Sequence, residues 1–257
     1  MDIQRSTVSE RWRRELADEL ARVAGHDAVA CAGIDTSNTY TTGGHDYYGL
    51  PVPARQQIAA TWLRTHRDAA VVDVLATCDS LIGARTYEDK TLGCMILKRH
   101  ESARSAVVPS FVARWLDELA GWAEADSLCQ NLFPAEQLLS DWPSWKTLVE
   151  ELAIDDNVNK RRAALVLLTG PVHYSPDVRL ATLAFATIGT LASERAPLIT
   201  KAISWLLRSL TTNHVRLVAA YLEANRRTLP ALAVRETSAK LASGTKRGRL
   251  PVGGRPV

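Results

Sequence analysis

Apolar residues along this chain recur at intervals of three and four, the repeat of one helix face, and no stretch alternates in the manner of a half-buried strand. Residues 9–24 open the series with Trp12, Leu16, Leu20 and Val23 in phase, and Ser9 is placed to cap them. Gly25 and His26 end that helix. The polar, Gly-ended stretch IDTSNTYTTGG, residues 34–44, reads as a loop or a poor helix. Pro51 and Pro53 start the next element, with Ile58, Ala59, Trp62 and Leu63 as its apolar face. The spacing then predicts a helix over 71–82, with Val71, Val74, Leu75 and Cys78 inward and Gly83 closing it. A helix over 87–99 is apolar on most sides through Leu92, Cys94, Met95, Ile96 and Leu97. Another over 107–119 turns Val108, Val112, Trp115 and Leu119 inward, and a short one over 121–129 follows, bounded by Pro134.

Further on, Trp145, Leu148 and Leu152 mark a helix over 144–153, and RRAALVLL one over 159–168 that stops before Gly170 and Pro171. Helices over 177–191, 198–210, 213–224 and 231–241 complete the pattern. Successive pairs recur at roughly 35–45 residues, the period of helical repeats that bury their apolar faces only by stacking on one another. The fold expected is all-α: one α-solenoid of HEAT-like helical pairs over 1–243, curved around a concave basic groove. A globular multi-helix bundle is the alternative. The Gly-, Pro- and Arg-rich tail 244–257 reads as disordered.

Charge changes this picture, because the net +3 conceals an asymmetry. Residues 1–156 hold 15 Lys+Arg against 24 Asp+Glu, a balance of −9, whereas 157–257 hold 16 against 4, a balance of +12. A polyanion is the partner such a half attracts, nucleic acid first and an anionic membrane second. Cys31, Cys78, Cys94 and Cys129 stand far apart with no C-x-x-C, and the six histidines never pair at helical spacing. That argues against a metal site and a disulfide framework. The charged N-terminus is no secretory signal, and no apolar run reaches the roughly 18–20 residues of a membrane helix. A cytoplasmic, nucleoid-associated protein is expected. Phosphate-loop and serine-elbow motifs are missing too, which argues against ATP-driven work and serine hydrolysis.

Three stretches carry candidate chemistry. In GWAEADSL, residues 121–128, Trp122 and Asp126 lie four apart on one helix face, an aromatic beside a carboxylate. A half-buried Trp with a solvated Asp is the plainer reading of that pair. In ITKAISWLLRSL, Lys201, Trp205 and Arg208 form one stripe, while Ile199, Ala202, Ile203, Leu206 and Leu210 take the other faces. Such a stripe either snorkels or meets a sugar-phosphate backbone. In NVNKRRAALVLL, the run Lys160, Arg161, Arg162 opens a helix, where cations oppose the positive helix end and call for an anion. Asp155 and Asp156 are one source of it, a phosphate another.

Taken in order, YYGLPVPARQQIA, YEDKTLGCMIL, GWAEADSL, NKRRAALVLL, ITKAISWLLRSL and LAVRETSAKL resemble the AlkD-type DNA alkylation repair glycosylases, a HEAT-like repeat family. The likeness runs from about Tyr40 to Leu241 and is most specific in the W-x-x-x-D of Trp122 and Asp126 and in K-A-I-x-W-x-L-R, residues 201–208. It implies that Asp126 is the catalytic carboxylate, with Trp122 and Trp205 as groove aromatics in the catalytic set. It further implies that Arg161, Arg162, Lys201, Arg208 and Tyr40 bind DNA. Gly121 stands where the family often has a second tryptophan, and Ser209 where a Glu usually follows the arginine. The reaction implied is hydrolysis of the N-glycosidic bond of N3- or N7-alkylated purines in double-stranded DNA. It would be run by a monomer with no cofactor and without the usual pocket for an extruded base. Such a base is already cationic and needs no general acid, so the carboxylate serves the oxocarbenium character growing on the deoxyribose.

The competing reading is a non-catalytic HEAT-like scaffold that binds distorted DNA or a protein or RNA partner. A scaffold gains nothing from a carboxylate facing phosphates, so Asp126 favours the enzyme. Binding to DNA should fall steeply with salt, each neutralised phosphate contributing a slope of about −0.9 in log K against log salt. Arg162→Ala or Lys201→Ala should make that slope shallower by roughly one unit in titrations between about 50 and 200 mM salt. Affinity indifferent to salt would point to a protein partner.

Overall fold

A computed structural model describes residues 7–27 and 43–245. Among them are fourteen helices, and the sole β-type pairing is one bridge between Asp46 and Thr86, so the fold is all-α. The chain forms two compact units, Met1–Leu128 and Cys129–Val257. In the first lie α1 (Thr7–Asp27), α2 (Val52–Thr65), α3 (Val71–Ile82), α4 (Tyr87–Arg99), α5 (Glu101–Ser105), α6 (Pro109–Asp117) and α7 (Trp122–Cys129), whose last residue crosses the division. In the second lie α8 (Ala135–Ser140), α9 (Trp142–Ala153), α10 (Val158–Tyr174), α11 (Val178–Leu191), α12 (Pro197–Leu210), α13 (Val215–Asn225) and α14 (Ala231–Ser243).

Packing within each unit follows chain order, as in stacked helical pairs. In the second unit α10, α12 and α14 lie side by side as one layer, and α9 and α11 pack together and onto α10. In the first, α4 is the helix buried on most sides, flanked by α2, α3 and α5. It starts at Thr86, whose Oγ1 accepts from Asp89 N at 3.1 Å and donates to Asp89 Oδ2 at 2.7 Å, a reciprocal cap. Gly93 lets α3 approach closely, since a Cβ there would stand 3.1 Å from the Cys78 carbonyl oxygen.

Two buried polar links tie the first unit together. Lys90, 2% exposed, sends Nζ to the Ile82 carbonyl at 3.0 Å and the Glu118 carbonyl at 2.8 Å, the last residues of α3 and just past α6. An ammonium suits both ends, because helix C-termini carry unpaired carbonyls and partial negative charge. Burial lowers the pKa of Lys90, opposed by Glu124, Glu118 and Asp89. Asp79 of α3 accepts from Arg114 Nη2 at 2.6 Å and Trp115 Nε1 at 2.7 Å, both on α6. Above α4, Glu88 accepts from Tyr48 N at 2.9 Å and Leu50 N at 3.1 Å, and burial raises its pKa. Cys78, Cys94 and Cys129 are buried, and burial pushes the Cys94 thiol up to about 12.

Helix bounds follow the apolar spacing with three instructive differences. The expected 107–119 helix is α6 alone, preceded by the five-residue α5, because Pro109 forces a fresh start. Val71 and Val108, expected inward, are exposed at or just before helix starts, where neighbouring turns do not reach. The expected stop before Gly170 does not occur: α10 runs through Gly170 and Pro171 to Tyr174. A proline keeps helical φ and forfeits one hydrogen bond, and Ser175 N still reaches the Pro171 carbonyl at 3.0 Å. Gly170 gives Asn131 room, since a Cβ would stand 2.6 Å from its Oδ1 and the amide would have to swing aside. The tail expected to be disordered lies, beyond Thr245, outside the described residues.

Lys90→Met should cost roughly 2–5 kcal/mol, because two buried carbonyls lose their donor while a buried charge is removed. Urea unfolding of parent and variant measures it. Glu88, with its pKa raised in the fold, binds a proton more readily folded than unfolded, so its contribution to stability falls as pH rises from 4.5 through the folded value. The stability of the parent relative to Glu88→Gln should therefore improve between pH 7 and pH 5 in the same experiment.

Candidate functional site

The carboxylate expected to do chemistry sits at an edge. On α7, Glu124, Ala125, Leu128 and Cys129 form the buried arc, while Trp122, Ala123 and Ser127 are half-buried. Asp126, 9% exposed, stands where the two arcs meet, one turn beyond Trp122. An acid there is largely screened from bulk water, which strengthens its field. The helix begins cleanly: Ala125 N bonds the Gly121 carbonyl at 3.1 Å. Glu124 Oε2 accepts from Ala120 N at 2.9 Å and Gly121 N at 3.4 Å, satisfying donors that open the helix.

The basic run at the start of α10 finds its anions within the chain. Asn157 caps the helix, its Oδ1 accepting from Asn159 N at 2.8 Å. Lys160 pairs with Asp155 at 3.2 Å. Arg161 forks onto Glu194 at 2.6 and 3.2 Å, and its Nη1 donates to the Asp155 and Asp156 carbonyls at 2.7 and 2.8 Å. Arg162, 6% exposed, donates from Nη1 to the Leu198 carbonyl at 2.7 Å, joining α10 to the start of α12. A phosphate reaches Arg161 only by displacing Glu194. Lys201→Ala is accordingly a cleaner probe of phosphate contacts than Arg162→Ala, which also removes an interhelical bond.

On α12 the stripe is laid out as its spacing predicts. Ile199, Ala202, Ile203, Leu206 and Leu210 are fully buried, Trp205 and Arg208 half-buried, and Lys201 exposed. Trp205 and Arg208 line a cleft of about 300 Å³ within the second unit, together with His173, Tyr174, Thr212 and Lys240. Arg208 is held from behind. Its Nε donates to Ser204 Oγ at 3.4 Å and lies 3.6 Å from Glu236 Oε2, to which Ser204 Oγ donates at 2.6 Å. Burial lowers the pKa of Arg208, with Glu236 opposing; a guanidinium stays charged regardless.

Opposite, His173 Nδ1 and Thr212 Oγ1 are hydrogen-bonded at 2.9 Å, and Tyr174 is 75% exposed. Cations, an indole, a phenol and hydroxyls around one open cleft suit an anion joined to a ring, such as a sugar-phosphate.

His173, Tyr174 and Lys240 escape the sequence reading. The first two follow Pro171, where the pattern ends the helix, and Lys240 was readable only as the residue one turn after Glu236. Tyr40 lies outside the described residues. Among the described residues no three His, Cys, Asp or Glu side chains gather so as to hold a metal ion, and no helix is long and apolar enough to cross a membrane.

The chain matches the family model described as DNA alkylation repair enzyme over residues 31–241. Among solved structures it is similar to one titled "Predicted DNA alkylation repair enzyme from Enterococcus faecalis", with a TM-score of 0.60 and 18% identity over 87% of this chain and 93% of that chain. At that identity the likeness is one of fold. No curated protein matches the sequence. With the family match covering most of the chain and the all-α fold shared, the chain belongs to the DNA alkylation repair enzyme family.

Proposed function

We propose that the protein is a DNA glycosylase that releases N3- and N7-alkylated purines by hydrolysing the N-glycosidic bond. The observation that carries this reading is Asp126, an acid at the edge of the buried arc of α7 with Trp122 one turn away. An alkylated purine leaves as a neutral base, taking the electron pair of its bond to C1′. Positive charge grows on the deoxyribose as it departs. A fixed carboxylate stabilises that charge and orients the water that adds to C1′, whose proton passes to solvent. Trp122 excludes water and offers its ring face to the same charge.

The cleft on the second unit supports the DNA-binding half of the proposal. Trp205 would lie against a sugar, Arg208 and Lys240 would hold phosphates, and exposed Lys201 would add a further contact. Arg162 acts at most through its position on α10, and Arg161 contributes only where a phosphate outcompetes Glu194. A cytoplasmic location suits a repair enzyme without a membrane helix among its described residues.

Asp126→Asn keeps the size of the side chain and removes its charge. Base release from DNA carrying N7-methylguanine should fall by about two to three orders of magnitude, as on loss of one preorganised electrostatic group. DNA affinity should hold or rise, because a negative charge has gone. A scaffold would show the gain in binding with no activity to lose. An Asn variant as fast as the parent would remove Asp126 from the mechanism.

A further inference from the structure

We infer that His45 and Glu124 are positioning residues for Asp126, clamping the short helix that carries it; the inference rests on the catalytic reading of Asp126. An electrostatic catalyst helps only if it is held where charge will develop before the reaction begins. Helix α7 has eight residues, and Ala120 and Gly121 ahead of it offer no capping side chain. A helix so short has little stability of its own and takes its orientation from its surroundings.

Glu124 supplies that orientation. Its side chain is 0% exposed, and a buried carboxylate is tolerated only when its oxygens are filled by donors. Oε2 takes the backbone N–H groups of Ala120 and Gly121, while Oε1 takes Nδ1–H of His45 at 2.7 Å, from a segment 79 residues earlier. One side chain thus satisfies the start of α7 and fastens it to a distant strap.

The strap, residues 43–50, is itself anchored on α4. The Asp46 carbonyl accepts from Tyr87 N at 2.9 Å, and Glu88 holds the Tyr48 and Leu50 amides. Gly43, at φ 63°, lies directly on the peptide that leads into α7. A Cβ there would stand 2.4 Å from the Ala120 carbonyl carbon and 2.6 Å from Gly121 N, so only glycine lets the strap come this close. Lys90, also on α4, holds the Glu118 carbonyl, two residues before Ala120.

The turn into Trp122 is therefore held at several points by contacts that lead back to α4. A slip of one residue turns a helix by about 100°, enough to carry Asp126 out of the boundary between its buried and open arcs. Both residues act through the pose of α7.

The test compares His45→Ala with His45→Asn, whose side-chain amide can place an N–H near the position of Nδ1. Single-turnover release of N7-methylguanine should slow about tenfold to a hundredfold in the Ala variant, with KM and DNA affinity within about twofold of the parent. The Asn variant should recover most of the rate. Hydrogen exchange on the free protein should quicken at the amides of residues 120–126 in the Ala variant and return towards the parent in the Asn variant. Unchanged rate and exchange in the Ala variant would overturn the inference, as would equal loss in both variants. If the parent releases no base, the catalytic reading of Asp126 falls, and the exchange measurement alone decides whether His45 clamps α7.

Discussion

One buried ammonium, Nζ of Lys90, closes the ends of α3 and α6 at once, and the path of the chain through the first unit depends on it. Helices that end inside a protein leave carbonyls that must find donors. Here one donor serves two of them from the first turn of α4, so three helices share a fixed point. The ammonium stays tolerable because its charge faces acids on several sides, Glu124 first among them. The same acid then orders the entry to α7. Stability of the unit and geometry of the candidate catalytic helix are thus expressions of one electrostatic arrangement.

The second unit handles charge in the opposite manner. Its sequence is strongly cationic, yet the basic run at α10 is consumed by the chain itself, with Asp155, Glu194 and backbone carbonyls taking Lys160 and Arg161. What remains open to a ligand includes exposed Lys201, Arg216, Arg226, Arg227 and Arg235, and a braced Arg208 beside Trp205. A guanidinium held from behind by Ser204 and Glu236 has lost much of its freedom before any phosphate arrives, which lowers the entropy cost of binding. Total charge draws a polyanion near, and braced charges decide where it rests.

Much of this was legible in the sequence because helices report themselves locally. The period of Ile199, Ala202, Ile203, Leu206 and Leu210 fixed which face of α12 is buried and so left Lys201, Trp205 and Arg208 outside. The same logic places Trp122 and Asp126 one turn apart. Contacts between residues far apart in the chain carry no such period. Nothing in GGHD announces that His45 meets Glu124, and nothing in TGPVHY shows that Asn131 presses against Gly170 and the helix runs on to present His173 and Tyr174. Charge runs mislead for a related reason: the sequence shows Lys160 to Arg162 as a cluster, whereas only the fold shows that Glu194 already occupies Arg161.

The buried cysteines have a consequence for life among electrophiles. Methylating agents that damage DNA react with thiolates far faster than with thiols. A thiol whose pKa is pushed up to about 12, as at Cys94, is ionised at neutral pH only on the order of one part in 100,000. Cys78 is raised as well, and Cys129 is equally enclosed. None of the three is suited to accept an alkyl group from a damaged base, so repair by self-sacrificing transfer has no acceptor among them. The same enclosure shields these three thiols from the reagents whose lesions the family repairs.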